Sequence, residues 1–166
     1  MLRVEKKSSQ FVDPATGKAV AVEEVVLEGE INQDSDFAGQ IKVDGKRVVV
    51  NCKGIRAINS VGVKHWISFF NELRNQKVEI HFTECSCPMV YQINLMPNYA
   101  LLQEVDSFYA TFLCEKCENE EQVLLFPKKL DPKNLALPKV ACSKCGGACE
   151  LDELPAEYFN FLGYTE

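Results

Sequence analysis

The stretch RVVVNCKGIRAINSVGVKHWISFFNEL, residues 47–73, decides the fold. Arg47 to Cys52 carries the run Val48-Val49-Val50, which reads as a buried strand. Further on, Val63, Trp66, Ile67, Phe70 and Leu73 recur at helical spacing and make one apolar stripe. Asn59 and Ser60 stand just ahead of it as N-cap residues, whose side-chain oxygens can accept a bond from a free N–H of the first turn. Lys64, His65, Ser68, Asn71, Glu72 and Asn75 fall on the opposite face. Phe69 lies about a quarter turn off the stripe, at ~100° per residue, and is expected to complete the core.

The segments on either side extend the pattern. Val22 to Ile31 is strand-like, with Val25, Val26 and Leu27 in it, and Gly29 and the polar run Asn32 to Asp36 break it. Asp44-Gly45 marks a turn before Arg47. Val78 to Thr83 alternates, with Val78, Ile80 and Phe82 on one face, and reads as a strand. Pro88 opens a short helix with Met89, Val90, Ile93 and Met96 on its apolar side, and Pro97 limits its length. Ser107 to Leu113 reads as another strand. The order strand, strand, helix, strand, helix, strand predicts an α/β sheet covered by helices.

Composition narrows the function. The chain has 166 residues, 46% of them hydrophobic and 25% charged, which predicts a folded globular protein. Acids outnumber bases 24 to 18, giving a formal charge of -6, and this argues against a dedicated nucleic-acid binder. Met1 to Gln10 has no apolar stretch of the kind a secretory signal needs. No apolar run approaches the roughly 20 residues that span a bilayer. The expected location is therefore the reducing cytoplasm, where cysteines are more often metal ligands than disulfides.

Eight cysteines are present. Cys114-Glu115-Lys116-Cys117 and Cys142-Ser143-Lys144-Cys145 form two Cys-x-x-Cys pairs, with 24 residues between Cys117 and Cys142. A two-residue gap lets both thiolates of a pair face one ion, and two pairs complete a tetrahedral sulfur site. Lys116 and Lys144 lie inside the pairs and Gly146-Gly147 follow the second. Cations offset the charge of the sulfurs, and glycines let backbone amides turn toward them. The pattern resembles a zinc ribbon with a structural Zn2+ held by Cys114, Cys117, Cys142 and Cys145. Two disulfides or a redox pair are the competing readings, but a redox pair belongs at a helix start in a thioredoxin-like context, and none is present. Cys149 reads as a spare and Cys52 as a core residue. Cys85 and Cys87 precede a helix start, which can lower a thiol pKa. His65 and His81 have no ligand spacing with any cysteine. Between the pairs come a short strand, Gln122 to Phe126, and a Pro- and Lys-rich loop from Pro127 to Pro138. In the tail, Pro155 opens a helix with Tyr158, Phe159 and Leu162 on one face, and Gly163 stops it.

Residues from about Val22 to Val105 resemble the STAS fold, the domain of sulfate transporters and bacterial anti-sigma-factor antagonists. The resemblance rests on Arg47 to Asn51, on Ile58-Asn59-Ser60-Val61-Gly62-Val63, on the helix to Leu73, and on Val78 to Phe82 with the short helix after it. It implies a STAS-like mixed sheet covered by helices over residues 1–106. A small zinc-ribbon β module over 107–151 and a C-terminal helix over 152–166, packed on either part, complete the expected organisation. It also implies a non-enzymatic regulatory role in signal transduction, with a protein partner, a regulatory kinase or anti-sigma-like factor, docking on Asn59, Ser60, Val61, Lys64 and His65. The family places Asp-Ser-Ser-Gly at this turn and phosphorylates the second Ser. Here Val61 stands at that position and Asn59 at the Asp position, so the usual phosphoserine is absent.

Two other functions compete. A nucleic-acid adaptor acting through the ribbon would use Lys116, Lys128, Lys129, Lys133, Lys139 and Lys144, but six acids between residues 107 and 151 balance these six lysines. An enzyme would need a phosphate-binding Gly-rich loop, a Ser-His-Asp set or paired carboxylates in a recognisable frame, and the sequence offers none.

Overall fold

The computed structural model describes residues 1–165. The chain divides into two compact units, Met1–Thr83 and Glu84–Glu166, so the boundary expected at residue 106 falls inside the second unit. Among the described residues there are two sheets and four α-helices, and no helix is long and apolar enough to cross a membrane.

The first unit holds β1 (Arg3–Val12), β2 (Ala19–Ile31), α1 (Phe37–Gln40), β3 (Arg47–Ile58), α2 (Ser60–Asn75) and β4 (Glu79–Thr83). Its sheet has the order β1-β2-β3-β4; β1 runs antiparallel to β2 and the other two pairs are parallel. The parallel strands at the centre explain the uninterrupted valine run, since Val48, Val49 and Val50 are all buried. β3 extends past Cys52 to Ile58 and buries Ile55. α2 lays Val63, Trp66, Phe70 and Leu73 on the sheet. The Trp66 ring, fully buried, lies 4.4 Å from Phe70, 5.3 Å from Phe82 and 5.5 Å from Phe37. Ile67 and Phe69 stay half-buried at the edge of the stripe, with Phe69 closing against Phe37 and Phe70.

β1 and α1 have no counterpart in the sequence reading. β1 is an edge strand rich in Arg, Lys, Glu and Ser, which suits an edge but hides its alternation. It is tied on through Arg47, which reaches Asp13 at 3.3 Å and Glu79 at 2.9 Å and covers the Phe11 ring. His81 is buried in β4, 4.4 Å from Phe11, with Nε2 2.7 Å from Glu79 Oε1. That contact first, opposed by burial and supported by Arg47, holds the Glu79 carboxyl below its ordinary value.

The second unit holds α3 (Cys87–Leu95), β5 (Phe108–Cys114), β6 (Glu120–Leu125), β7 (Val140–Ala141), β8 (Ala148–Leu151) and α4 (Pro155–Tyr158). Its strands are antiparallel in the order β6-β5-β8-β7. α3 and the tail pack against β5. Met89, Val90, Phe108 and Phe159 are fully buried, and Tyr158 nearly so. The Tyr158 hydroxyl donates to the Tyr109 carbonyl at 2.5 Å. Asn94 donates to the Tyr158 carbonyl at 2.9 Å and accepts from the Phe161 N–H at 2.8 Å, which fixes the tail to α3. A 3-10 turn at Asn160–Leu162 ends at Gly163 in the left-handed region, where the tail helix was expected to stop.

Candidate metal centre

The two Cys-x-x-Cys turns share one geometry. β5 delivers Cys114; its N–H donates to the Asn119 carbonyl at 2.9 Å, and the Glu118 N–H donates back to the Cys114 carbonyl at 3.0 Å. β7 delivers Cys142, whose N–H donates to the Gly147 carbonyl at 2.8 Å while the Gly146 N–H returns to Cys142 at 2.9 Å. The residue four places after each first cysteine has a positive φ, 56° at Glu118 and 72° at Gly146. Each turn thus curls its two thiols to one side.

The Sγ atoms of Cys114, Cys117, Cys142 and Cys145 all lie within 4.8 Å of one another and can hold a metal ion. Cys114 and Cys145 are 3.4 Å apart, and Cys117 and Cys142 are 3.6 Å apart. A disulfide needs about 2.05 Å, and all eight cysteines are free thiols. The N–H groups of Cys117 and Lys116 pull the Cys114 thiol down to about 6. The Asn119 N–H favours a thiolate at Cys117, but the sulfurs of Cys145, Cys142 and Cys114, with burial, push it up to about 12. Four thiols this close oppose one another's ionisation. A cation among them removes the conflict, which is the electrostatic case for a metal.

No family model, curated protein or solved structure matches the chain.

A clamp outside the sulfurs joins the two turns. Glu121 Oε1 accepts from the Ser143 N–H at 2.7 Å, the Ser143 hydroxyl at 2.6 Å and the Asn119 amide at 2.8 Å. The same Asn119 nitrogen stands 3.7 Å from Cys142 Sγ. The N–H groups of Lys144 and Gly147 point at the sulfurs of Cys142 and Cys145, each at 3.4 Å. A Cβ on Gly147 would sit 3.2 Å from the sulfurs of Cys114 and Cys145, tighter than an ordinary contact, so a side chain here would press on the cluster. Asn119, Glu121 and Ser143 were not legible as site residues, because polar residues beside a cysteine pair are ordinary surface. Glu121→Ala is expected to weaken metal binding about 10- to 100-fold by freeing Ser143 and Asn119. A chelator-competition titration measures this, and unchanged affinity would show the clamp to be incidental.

The remaining cysteines lie outside the cluster. Cys149 pairs in register with Cys114, but burial pushes its thiol up to about 11 and its sulfur faces the Gly147 carbonyl. Cys52 and Cys85 are buried, and Cys87 is half-buried beside Thr111 and Gln122.

The residues expected to bind a partner gather at the start of α2. Asn59, Ser60, Val61, Lys64 and His65 are all exposed, Val61 by 40%. Asn59 rather than Ser60 is the N-cap: its Oδ1 accepts from the Gly62 N–H at 2.8 Å, and its own N–H donates to the Ile31 carbonyl at 3.0 Å. Asn59 also donates to Gln33 at 2.9 Å. Ser60 is the first helical residue, its hydroxyl exposed. Beside His65, Ser68 and Phe69 opens a cleft of about 420 Å³, closed on its other side by Gln33 to Ala38.

Proposed function

We propose that the chain is a non-enzymatic, STAS-like regulatory module, carrying a zinc-ribbon staple, that docks a protein partner on the start of α2. The observation that carries this reading is the display of Asn59, Ser60, Val61, Lys64 and His65 on a helix start that β2 holds rigid from below. A rigid patch with one exposed aliphatic side chain among polar ones is suited to protein recognition, because little ordering entropy is lost on contact. The mixed sheet, with a buried strand entering this turn and helix, is compatible with the STAS resemblance. The metal is zinc in this reading. Four sulfurs about 2.3 Å from a tetrahedral centre stand about 3.8 Å from each other, close to the spacings here. They fill the shell and leave no position for substrate, so the ion is structural.

The partner, a regulatory kinase or anti-sigma-like factor in a cytoplasmic setting, meets an unusual turn. Val61 cannot accept phosphate, and Ser60 points about 100° away around the helix. Contact is therefore apolar at Val61, and Val61→Asp is expected to weaken partner binding about tenfold or more by placing an unpaired charge in the interface. Capture from source cells with the wild-type chain and with Val61→Asp tests this. An unchanged set of captured proteins would refute the docking site. Stoichiometric phosphate on Ser60 in protein from those cells would show a displaced switch instead.

A further inference from the structure

We infer that the groove between α3 and the C-terminal tail is a second docking site, and that its occupant is a basic amphipathic helix of a partner protein. The groove consists of two adjoining cavities of about 400 and 260 Å³ that share Asn94 and Asn160. Tyr91, Leu95, Ala156 and Tyr158 line the first; Pro97, Leu102 and Phe161 are among the walls of the second. Apolar side chains here are open to water: Leu95 is 70% exposed, Leu102 46% and Tyr91 43%, with Leu154 next to the groove at 65%. A folded chain leaves large aliphatic groups clustered this way at interaction sites. The groove is also firm, because Asn94 bonds to both Tyr158 and Phe161 and the Tyr91 hydroxyl donates to Glu153.

Charge identifies the occupant. The chain has no Lys or Arg between Lys77 and Lys116 and none after Lys144, and every residue lining the groove comes from these two stretches. Glu153 and Glu157 line the first cavity, and exposed Asp152 is next to Glu153 in sequence. Acids at the first apolar hollow, with no cation lining either one, repel phosphate backbones and acidic lipid surfaces and attract Lys and Arg. Two hollows that meet at Asn94 and Asn160 suit successive apolar side chains on one helical stripe, with cations flanking the stripe at its Glu153 and Glu157 end. This surface uses different residues from the α2 patch, so it stands or falls independently of that docking site.

The test uses the full chain and three fluorescein-labelled 18-residue peptides. One carries Leu at i, i+3, i+4 and i+7 spacing with Lys elsewhere; the second is its scramble; the third has Glu for every Lys. The Leu/Lys peptide is expected to bind with Kd on the order of 10 µM. The other two should bind at least tenfold more weakly. Amide NMR shifts should concentrate in residues 91–102 and 153–161. Leu95→Arg and Glu157→Lys, both at exposed positions, should each weaken binding about tenfold without changing the melting temperature, and Val61→Asp should leave it unchanged. Equal binding of the scramble, shifts centred elsewhere, or no effect of Leu95→Arg would overturn the proposal. So would binding to anionic vesicles that Leu95→Arg abolishes.

Discussion

Removing the metal from the full chain, or replacing Cys142 by Ser, is expected to unfold the two cysteine turns with β7 and β8 while the first unit stays folded. The physical reason is how little else holds that end of the molecule. β7 has two residues and β8 four, and the long loop before β7 contains only a three-residue 3-10 turn and an isolated bridge. Four thiols at separations down to 3.4 Å have no reason to stay together without a cation. Apparent binding energies of structural zinc in small modules are about 10–16 kcal/mol, far more than a four-residue strand contributes by its own pairing. The buried cluster of Phe108, Met89, Val90 and Phe159 does not include the cysteines, so α3 and the tail should loosen less than the turns. Hydrogen exchange before and after chelation reads this directly. Amides at 114–119 and 140–149 should lose protection by orders of magnitude, while those of β2, β3 and α2 keep theirs. Elemental analysis of protein purified without chelator should give one zinc per chain. Simultaneous loss across both units, or no loss anywhere, would contradict the assignment of stability to the ion.

Elements whose burial is periodic or continuous could be read from the chain alone. The valine run of β3 and the stripe of α2 are strong signals because one face, or both, must be apolar. The four cysteines that could hold a metal ion were legible for a different reason: two thiol pairs, each at a two-residue spacing, are a metal-binding pattern. β1 was not legible, because an edge strand buries little and can carry Lys and Glu at any position. α1 is a single turn, too short for a period to emerge, although Phe37 is almost wholly buried in it. The capping residue was legible only as a choice between Asn59 and Ser60, since either oxygen can accept the bond; Gly62 and the end of β2 decide it for Asn59. The Glu121–Ser143–Asn119 clamp needs the two turns side by side, which no local pattern encodes. The extent of the second unit was hidden for a similar reason. α3 looks in sequence like the next helix of the first unit, yet its buried residues meet β5 and the tail.

Gly62→Val is expected to destabilise the first unit by about 3 kcal/mol, and to disturb the α2 patch even where the chain remains folded. Gly62 is buried in the first turn of α2, where the helix backbone crosses the end of β2. A Cβ there would fall 2.5 Å from the Ile31 carbonyl carbon and 2.7 Å from the Asn32 nitrogen. These are backbone atoms and cannot rotate aside. The helix start would have to lift, breaking the Gly62 N–H bond to Asn59 and the Asn59 N–H bond to Ile31. Both bonds set the direction in which Ser60 and Val61 leave the sheet. Gly62→Ala meets the same atoms with one carbon and should cost less, about 1–2 kcal/mol, in the same direction. For a unit of this size each kcal/mol lowers the melting temperature by about 4–8 °C. Ser60→Ala, at an exposed position that makes no cap, is the control and should leave it within about 1 °C. Thermal unfolding of the three variants, followed by partner capture below their transitions, separates the effects. If Gly62→Ala melts with the wild type, the crossing at Ile31 tolerates a side chain, and the glycine of this turn is not what holds the α2 patch in place.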